Sequence, residues 1–195
     1  MSSVILTGDT SGSVTVTVPA VAGSNTATIG AATGTHFPFT AGTAVASTSG
    51  TSIDFTSIPS WVKRITVMLS GVSTSGTSNI QAQIGTSGGI QATGYVGASN
   101  TFNSTPGATA WGTGILLCEL VSAATDLLQG SFTLALLDSS NGTWAVSGLT
   151  ATSGNTANTL VAGYKTLSGT LDRVRITTAN GTDTFDAGTI NILYE

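Results

Sequence analysis

The chain has 195 residues, 40% of them hydrophobic and only 7% charged, with a formal net charge of −4. That is apolar material enough for one domain with a core, and positive mean hydropathy (+0.33) with so little charge excludes the disordered class. Five basic residues (Lys63, Arg64, Lys165, Arg173 and Arg175) cannot assemble the cationic patch that nucleic acid or an anionic membrane surface demands, so neither is expected as a partner.

The polar surface must come from 36 Thr, 24 Ser and 25 Gly. Thr and Val favour strands, and Gly, Ser and Asn favour turns. At the N-terminus, Met1–Leu6 carries no basic region and reaches polar Thr7-Gly8-Asp9 at once, so no signal peptide is expected. No run approaches the ~18 apolar residues of a membrane helix. Ser13-Val14-Thr15-Val16-Thr17-Val18 alternates strictly up to Pro19, then a Gly/Ala/Thr stretch runs through Thr43 with few bulky side chains. Such a stretch buries too little to order itself. Residues 1–48 are therefore expected to form an extended attachment arm, ordered by wrapping on other chains or serving as a flexible tether, with Val14, Val16, Val18 and Val21 as its anchoring contacts.

From Ile53 onward the apolar residues recur with period two. Ile65, Val67 and Leu69 oppose Arg64, Thr66 and Met68; Ile80, Ala82 and Ile84 alternate with Gln81 and Gln83; Phe132, Leu134 and Leu136 repeat the pattern. Asp172–Ile176 and Thr189–Tyr194 do so again. Asn141-Gly142 and Asn180-Gly181 are hairpin signals, because Asn-Gly accepts positive φ cheaply. Gly85-Thr86-Ser87-Gly88-Gly89 lacks the Lys and the helix of a phosphate loop and reads as a hairpin loop. The run Leu120–Leu128 could be a short helix, but without caps a strand plus a turn is expected. These signals predict an all-β chain: an antiparallel β-sandwich over residues 49–195, behind an extended N-terminal arm.

Groups able to do chemistry are sparse. His36 lies in a Pro-broken loop with no nucleophile motif beside it, and one His with one Cys cannot fill a zinc site. Cys118, inside Ile115-Leu116-Leu117-Cys118-Glu119-Leu120, reads as a buried, inert thiol. Asp183 and Asp186, joined by Asp172 if Asn180-Gly181 closes a hairpin, offer oxygens for Ca²⁺, but turn-forming aspartates are the expected role. No catalytic residue, metal or cofactor is expected, and the chain is not expected to be an enzyme. Aromatics remain. Trp61 is expected as a core residue, whereas Trp111, Trp144 and Tyr95 are candidates for stacking on a glycan, Trp111 foremost.

Three stretches carry a resemblance. They are Gly8-Asp9-Thr10-Ser11-Gly12-Ser13-Val14-Thr15-Val16-Thr17-Val18-Pro19-Ala20-Val21-Ala22-Gly23-Ser24-Asn25-Thr26, Ile53-Asp54-Phe55-Thr56-Ser57-Ile58-Pro59-Ser60-Trp61-Val62-Lys63-Arg64-Ile65-Thr66-Val67, and Phe185-Asp186-Ala187-Gly188-Thr189-Ile190-Asn191-Ile192-Leu193-Tyr194-Glu195. Together they resemble segments of tailed-bacteriophage virion proteins. The resemblance implies a jelly-roll-like head on a short N-terminal anchor, usually trimeric, with no catalytic residues to carry over. The expected function is that of a capsid decoration, cement or head-fibre protein, or of a tail-fibre module contacting host glycans. Its expected partners are copies of itself and another virion protein, and its expected location is the virion, assembled in the host cytoplasm.

Overall fold

The computed structural model describes residues 3–7, 13–17, 40–103, 106–119, 121–154 and 157–195. It divides into two units, Met1–His36 and Phe37–Glu195. In the first, β1 (Ser3–Thr7) and β2 (Ser13–Thr17) pair antiparallel, with Val14 opposite Leu6 and Val16 opposite Val4. The alternating strand expected at Ser13 thus has a partner strand before it. Val18, Val21 and His36 lie outside the described residues.

The second unit contains β3 (Thr40–Ala41), β4 (Val45–Ala46), β5 (Ser52–Phe55), β6 (Arg64–Thr74), β7 (Ile80–Thr86), β8 (Gly89–Ile90) and β9 (Tyr95–Phe102). It continues with β10 (Gly107–Ala110), β11 (Ile115–Leu116), β12 (Leu128–Asp138), β13 (Thr143–Thr152), β14 (Ala157–Thr166), β15 (Arg173–Thr178) and β16 (Phe185–Tyr194). There is no helix among the described residues. The large sheet runs β10-β9-β14-β13-β12-β6-β16-β3, with β4 also on β16; the small one runs β11-β7-β15-β5, with β8 on β7. Every pairing is antiparallel. β3 and β4 extend the large sheet, so residues 40–46, read in the sequence as part of the arm, belong to the sandwich.

The order explains itself if β12, β13 and β14 count as one position. Leaving out β3, β4, β8 and β16, eight positions remain; all consecutive ones but the fourth and fifth change sheet, and the small sheet reads first-eighth-third-sixth (β5-β15-β7-β11). The large sheet reads second-seventh-fourth-fifth (β6, β12–β14, β9, β10). This is a jelly-roll-like order. A meander of three strands in the seventh position leaves its outer strands parallel to each other, so β12 still pairs antiparallel with β6 and β14 with β9.

The core lies between the sheets. Val67, Leu134, Val146, Val161 and Ile190 come from the large one, and Ile53, Ile84, Ile115, Val174 and Ile176 from the small one. Each such side chain contributes roughly 1.5–3 kcal/mol on burial. Between β6 and β16 the register shifts twice around Ala187, where Gly188 takes φ 97°. A Cβ on Gly188 would sit 2.5 Å from the Gly71 carbonyl, so only glycine permits this bend.

The two Asn-Gly turns part company. Asn141-Gly142 joins the paired strands β12 and β13 with Gly142 at φ 70°, as expected. Asn180-Gly181 does not close a hairpin: β15 lies in the small sheet and β16 in the large one, so this turn carries the chain across the sandwich. Gly181 takes φ 70°, and the Asn180 side-chain oxygen accepts from the Thr182 and Asp183 N–H groups at 3.0 and 3.2 Å. The local chemistry of the turn is what the dipeptide encodes; the partner of the following strand is not. Residues 121–127 form a turn leading into β12, not a helix.

In that turn Asp126 accepts from the Ser122 N–H (2.7 Å), the Ser122 hydroxyl (2.8 Å) and the Ala123 N–H (3.2 Å). Burial pushes its carboxyl up, but the Ser122 and Ala123 bonds outweigh burial and hold it below the usual range. The stabilisation is therefore present at neutral pH and lost as pH falls through the lowered folded value. Asp126→Ala is expected to cost about 1–2 kcal/mol in urea unfolding at pH 7, with the difference shrinking at acid pH.

Candidate functional site

The aromatics expected to meet a glycan are core residues. Trp111 is 7% exposed, Tyr95 6% and Trp144 3%. Trp111 lies against Gly97 of β9 and Gly163 of β14, which are register partners. A Cβ at either glycine would stand 2.7 or 2.6 Å from the indole ring, so the missing side chains make its seat. The indole N–H donates to the Ser99 hydroxyl at 2.9 Å, and Ser99 donates to the Leu116 carbonyl at 2.5 Å. A ring held this way offers no face to a sugar. Tyr95 accepts the Ile84 N–H at 2.8 Å, and burial pushes its hydroxyl up to about 12. The Lys165 ammonium sits 5.6 Å from the Tyr95 ring centroid and donates to Gln91 Oε1 (3.3 Å) and to the Thr166 carbonyl (2.5 Å). Burial lowers the Lys165 value. Trp61, by contrast, packs at 5.9 Å on Tyr194 as expected of a core residue, though it is only partly buried.

The aspartates proposed for Ca²⁺ are used separately. Asp183 accepts from the Ser78 N–H and the Asn180 amide at 3.0 and 2.8 Å, Asp186 accepts from the Ser73 hydroxyl, and Asp172 pairs with Arg173 at 2.8 Å. Asp172 precedes β15 while Asp183 follows it, so the strand separates them. No group of three His, Cys, Asp or Glu converges among the described residues. Cys118 is buried, and its sulfur accepts the Ile80 N–H at 3.2 Å. The Arg175–Asp54 pair at 2.7 Å lies on the outer side of the small sheet. Being exposed, it is expected to contribute under ~1 kcal/mol, and Arg175→Gln should leave the melting temperature within a few degrees of wild type.

One cleft, of about 410 Å³, opens at the Trp144 end of the sandwich. Ser139, Ser140, Asn141 and Gly142 of the β12–β13 turn form one wall, Ser168, Gly169 and Thr170 another, and Lys63 a third, over a floor of Leu136, Trp144 and Leu171. The volume is in the range of small-molecule sites. Its lining holds hydroxyls, amides and one ammonium, but no carboxylate, thiol or imidazole. Such walls can hydrogen-bond a polar ligand; they contain no pair for general acid and base work. The sequence pointed to this place only through Asn141-Gly142. The second wall lies more than twenty residues away, and no local pattern announced it.

No protein-family model, curated protein or solved structure matches the chain.

Proposed function

We propose that this chain is a structural protein of a tailed-bacteriophage particle, a homotrimer that works by contact rather than reaction. It docks through its N-terminal segment on a major capsid or tail protein, as a decoration, cement or head-fibre component. The observation that carries the reading concerns the stretches resembling virion proteins. Two of them, 53–67 and 185–195, are far apart in sequence yet touch in the large sheet, where Ile65, Thr66 and Val67 pair with Tyr194, Leu193 and Ile192, while Ile53–Phe55 of the first lies in β5 of the small sheet. β6 pairs with β16 from Ile65↔Tyr194 to Thr74↔Phe185. At the start of β6, the Lys63 and Arg64 N–H groups both donate to the Glu195 carbonyl, and Arg64 pairs with the Glu195 carboxylate. The very low charge suits a permanently assembled surface, where a charge must be paired to be buried. As a cement, the protein would add buried interface between capsomers and so oppose internal pressure.

The docking role is tested in particles of the phage that encodes the chain. Val14→Asp with Val16→Asp places carboxylates at the expected contacts, and incorporation into gradient-purified particles is expected to drop by ~10-fold or more. Incorporation at the wild-type level would refute the anchor.

A second reading is favoured by the cleft: a tail-fibre module that holds a host-surface glycan between Ser140, Asn141 and Thr170. Saccharide binding that changes Trp144 fluorescence and is lost in Asn141→Ala would favour this reading over the first.

A further inference from the structure

Polarity is partly inverted in one half of the large sheet. The core-facing positions of β13, β14 and β9 include Thr150, Thr159, Ser99 and Thr101, all buried. Thr101 and Thr159 share a hydrogen bond at 3.1 Å, and the Thr150 hydroxyl donates to the Leu117 carbonyl. The outward positions of the same strands instead hold Leu149, Leu160, Tyr164, Val96 and Phe102, each between 44% and 54% exposed. They stand in cross-strand rows: Leu149 opposite Leu160, and Tyr164 opposite Val96. No charged residue occupies an outward position on β13, β14, β9 or β10, or on β12 before Asp138, and Lys165 points inward. The small sheet's outer side, by contrast, carries the Arg175–Asp54 pair.

We propose that this uncharged outer face of β12, β13, β14, β9 and β10 is the surface on which a second copy of this chain docks. The area fits. Five strands at about 4.8 Å spacing and seven residues at about 3.4 Å rise make a face of roughly 600 Å². Two such faces bury roughly 1,200 Å² even if flat, which reaches the range of specific interfaces. The chemistry fits an identical partner as well. Like faces with no charge neither repel each other nor strand an ion, whereas a charged partner would find nothing to pair with. The free edge of the sheet continues the surface: β10 is exposed at all four positions and holds no Lys, Pro or bulge that would protect it. This inference rests on the functional reading only for the number of copies: stacked in pairs the like faces give a two-fold dimer, whereas in a trimer the three faces would meet around the axis, each shared between two neighbours.

The test is light scattering on the full chain across a concentration series. Wild type is expected to give a multiple of 19.3 kDa. Leu149→Asp with Leu160→Asp should weaken association by at least ~100-fold, because each carboxylate would be buried without a partner. Leu149→Thr with Leu160→Thr and Phe102→Thr keeps strand propensity and should also weaken it, with an unchanged far-UV spectrum showing that the sandwich remains. Asp54→Asn with Arg175→Gln, on the opposite side, should leave the assembly intact. A wild-type monomer would overturn both this face and the trimer. An oligomer equally stable in both face variants would overturn the face alone. A dimer dissolved by the variants would support the face and refute three-fold assembly.

Discussion

Trp111→Ala is expected to remove about 3–5 kcal/mol of stability, the range for deleting a buried Trp or Phe. The loss has two sources. The indole fills the space above Gly97 and Gly163, where no neighbouring side chain can follow it into the void. Its N–H satisfies Ser99, which in turn ties β9 to the Leu116 carbonyl, so truncation leaves a buried hydroxyl short of a partner. The Trp111 backbone N–H, which alanine would keep, donates to the Gly97 carbonyl at 3.0 Å and fixes the return from β10. Because small domains are stable by only about 5–15 kcal/mol, the variant would sit near its unfolding midpoint in modest urea. The converse change is equally diagnostic. Gly163→Ala would drive a methyl group into the ring and against the Val96 carbonyl, and should cost about 1–3 kcal/mol or more. Urea titrations followed by Trp fluorescence would measure both. A cost below about 1 kcal/mol for Trp111→Ala would mean that the ring is not packed as described.

Alkali is expected to unfold the protein through two buried groups. Burial pushes the Cys118 thiol from 9.0 to about 12, helped by the Asp126 and Glu119 charges and opposed by the Ile80 backbone hydrogen bond. Burial likewise pushes the Tyr95 hydroxyl from 10.0 to about 12. Both keep in the folded state a proton that the unfolded chain gives up. Their contribution is therefore complete below about pH 9 and lost progressively as pH rises towards 12. At about 1.36 kcal/mol per unit, the loss reaches about 4 kcal/mol for Cys118 and about 3 kcal/mol for Tyr95. Lys165 acts in the opposite sense, because burial lowers its value; it offsets part of the loss as pH rises towards the ordinary lysine range. Cys118→Ala should lower stability at pH 7 yet flatten the decline, retaining about 3 kcal/mol more than wild type between pH 9 and 11. Parallel stability curves for the two proteins would contradict a buried, protonated thiol.

The strands that could be read in the sequence are those whose polarity alternates in the ordinary sense. Ile65-Val67-Leu69, Ile80-Ala82-Ile84 and Phe132-Leu134 all face the core. β9 and β14 escaped notice for a physical reason: their inward residues include Ser99, Thr101 and Thr159, and their outward ones Val96, Leu160 and Tyr164, so hydropathy does not mark the buried side. Trp111 reads as a surface aromatic because it follows the Phe102–Pro106 loop, yet it is buried. The glycines that receive it lie 14 and 52 residues away in the chain, and only the β9–β14 register brings them together. Asn180-Gly181 was right as a turn and wrong as a hairpin, since a dipeptide fixes local φ but not which sheet the next strand joins. The cleft combines two loops from different connections, which no single stretch of sequence encodes.

Cryo-electron microscopy of gradient-purified particles bears most directly on the claim that this β scaffold exists to be part of a virion. Ordered density for the two-sheet body is expected at a fixed copy number, in groups of three, with the N-terminal residues against a capsid or tail protein. Particles of full infectivity that lack the chain altogether would contradict it.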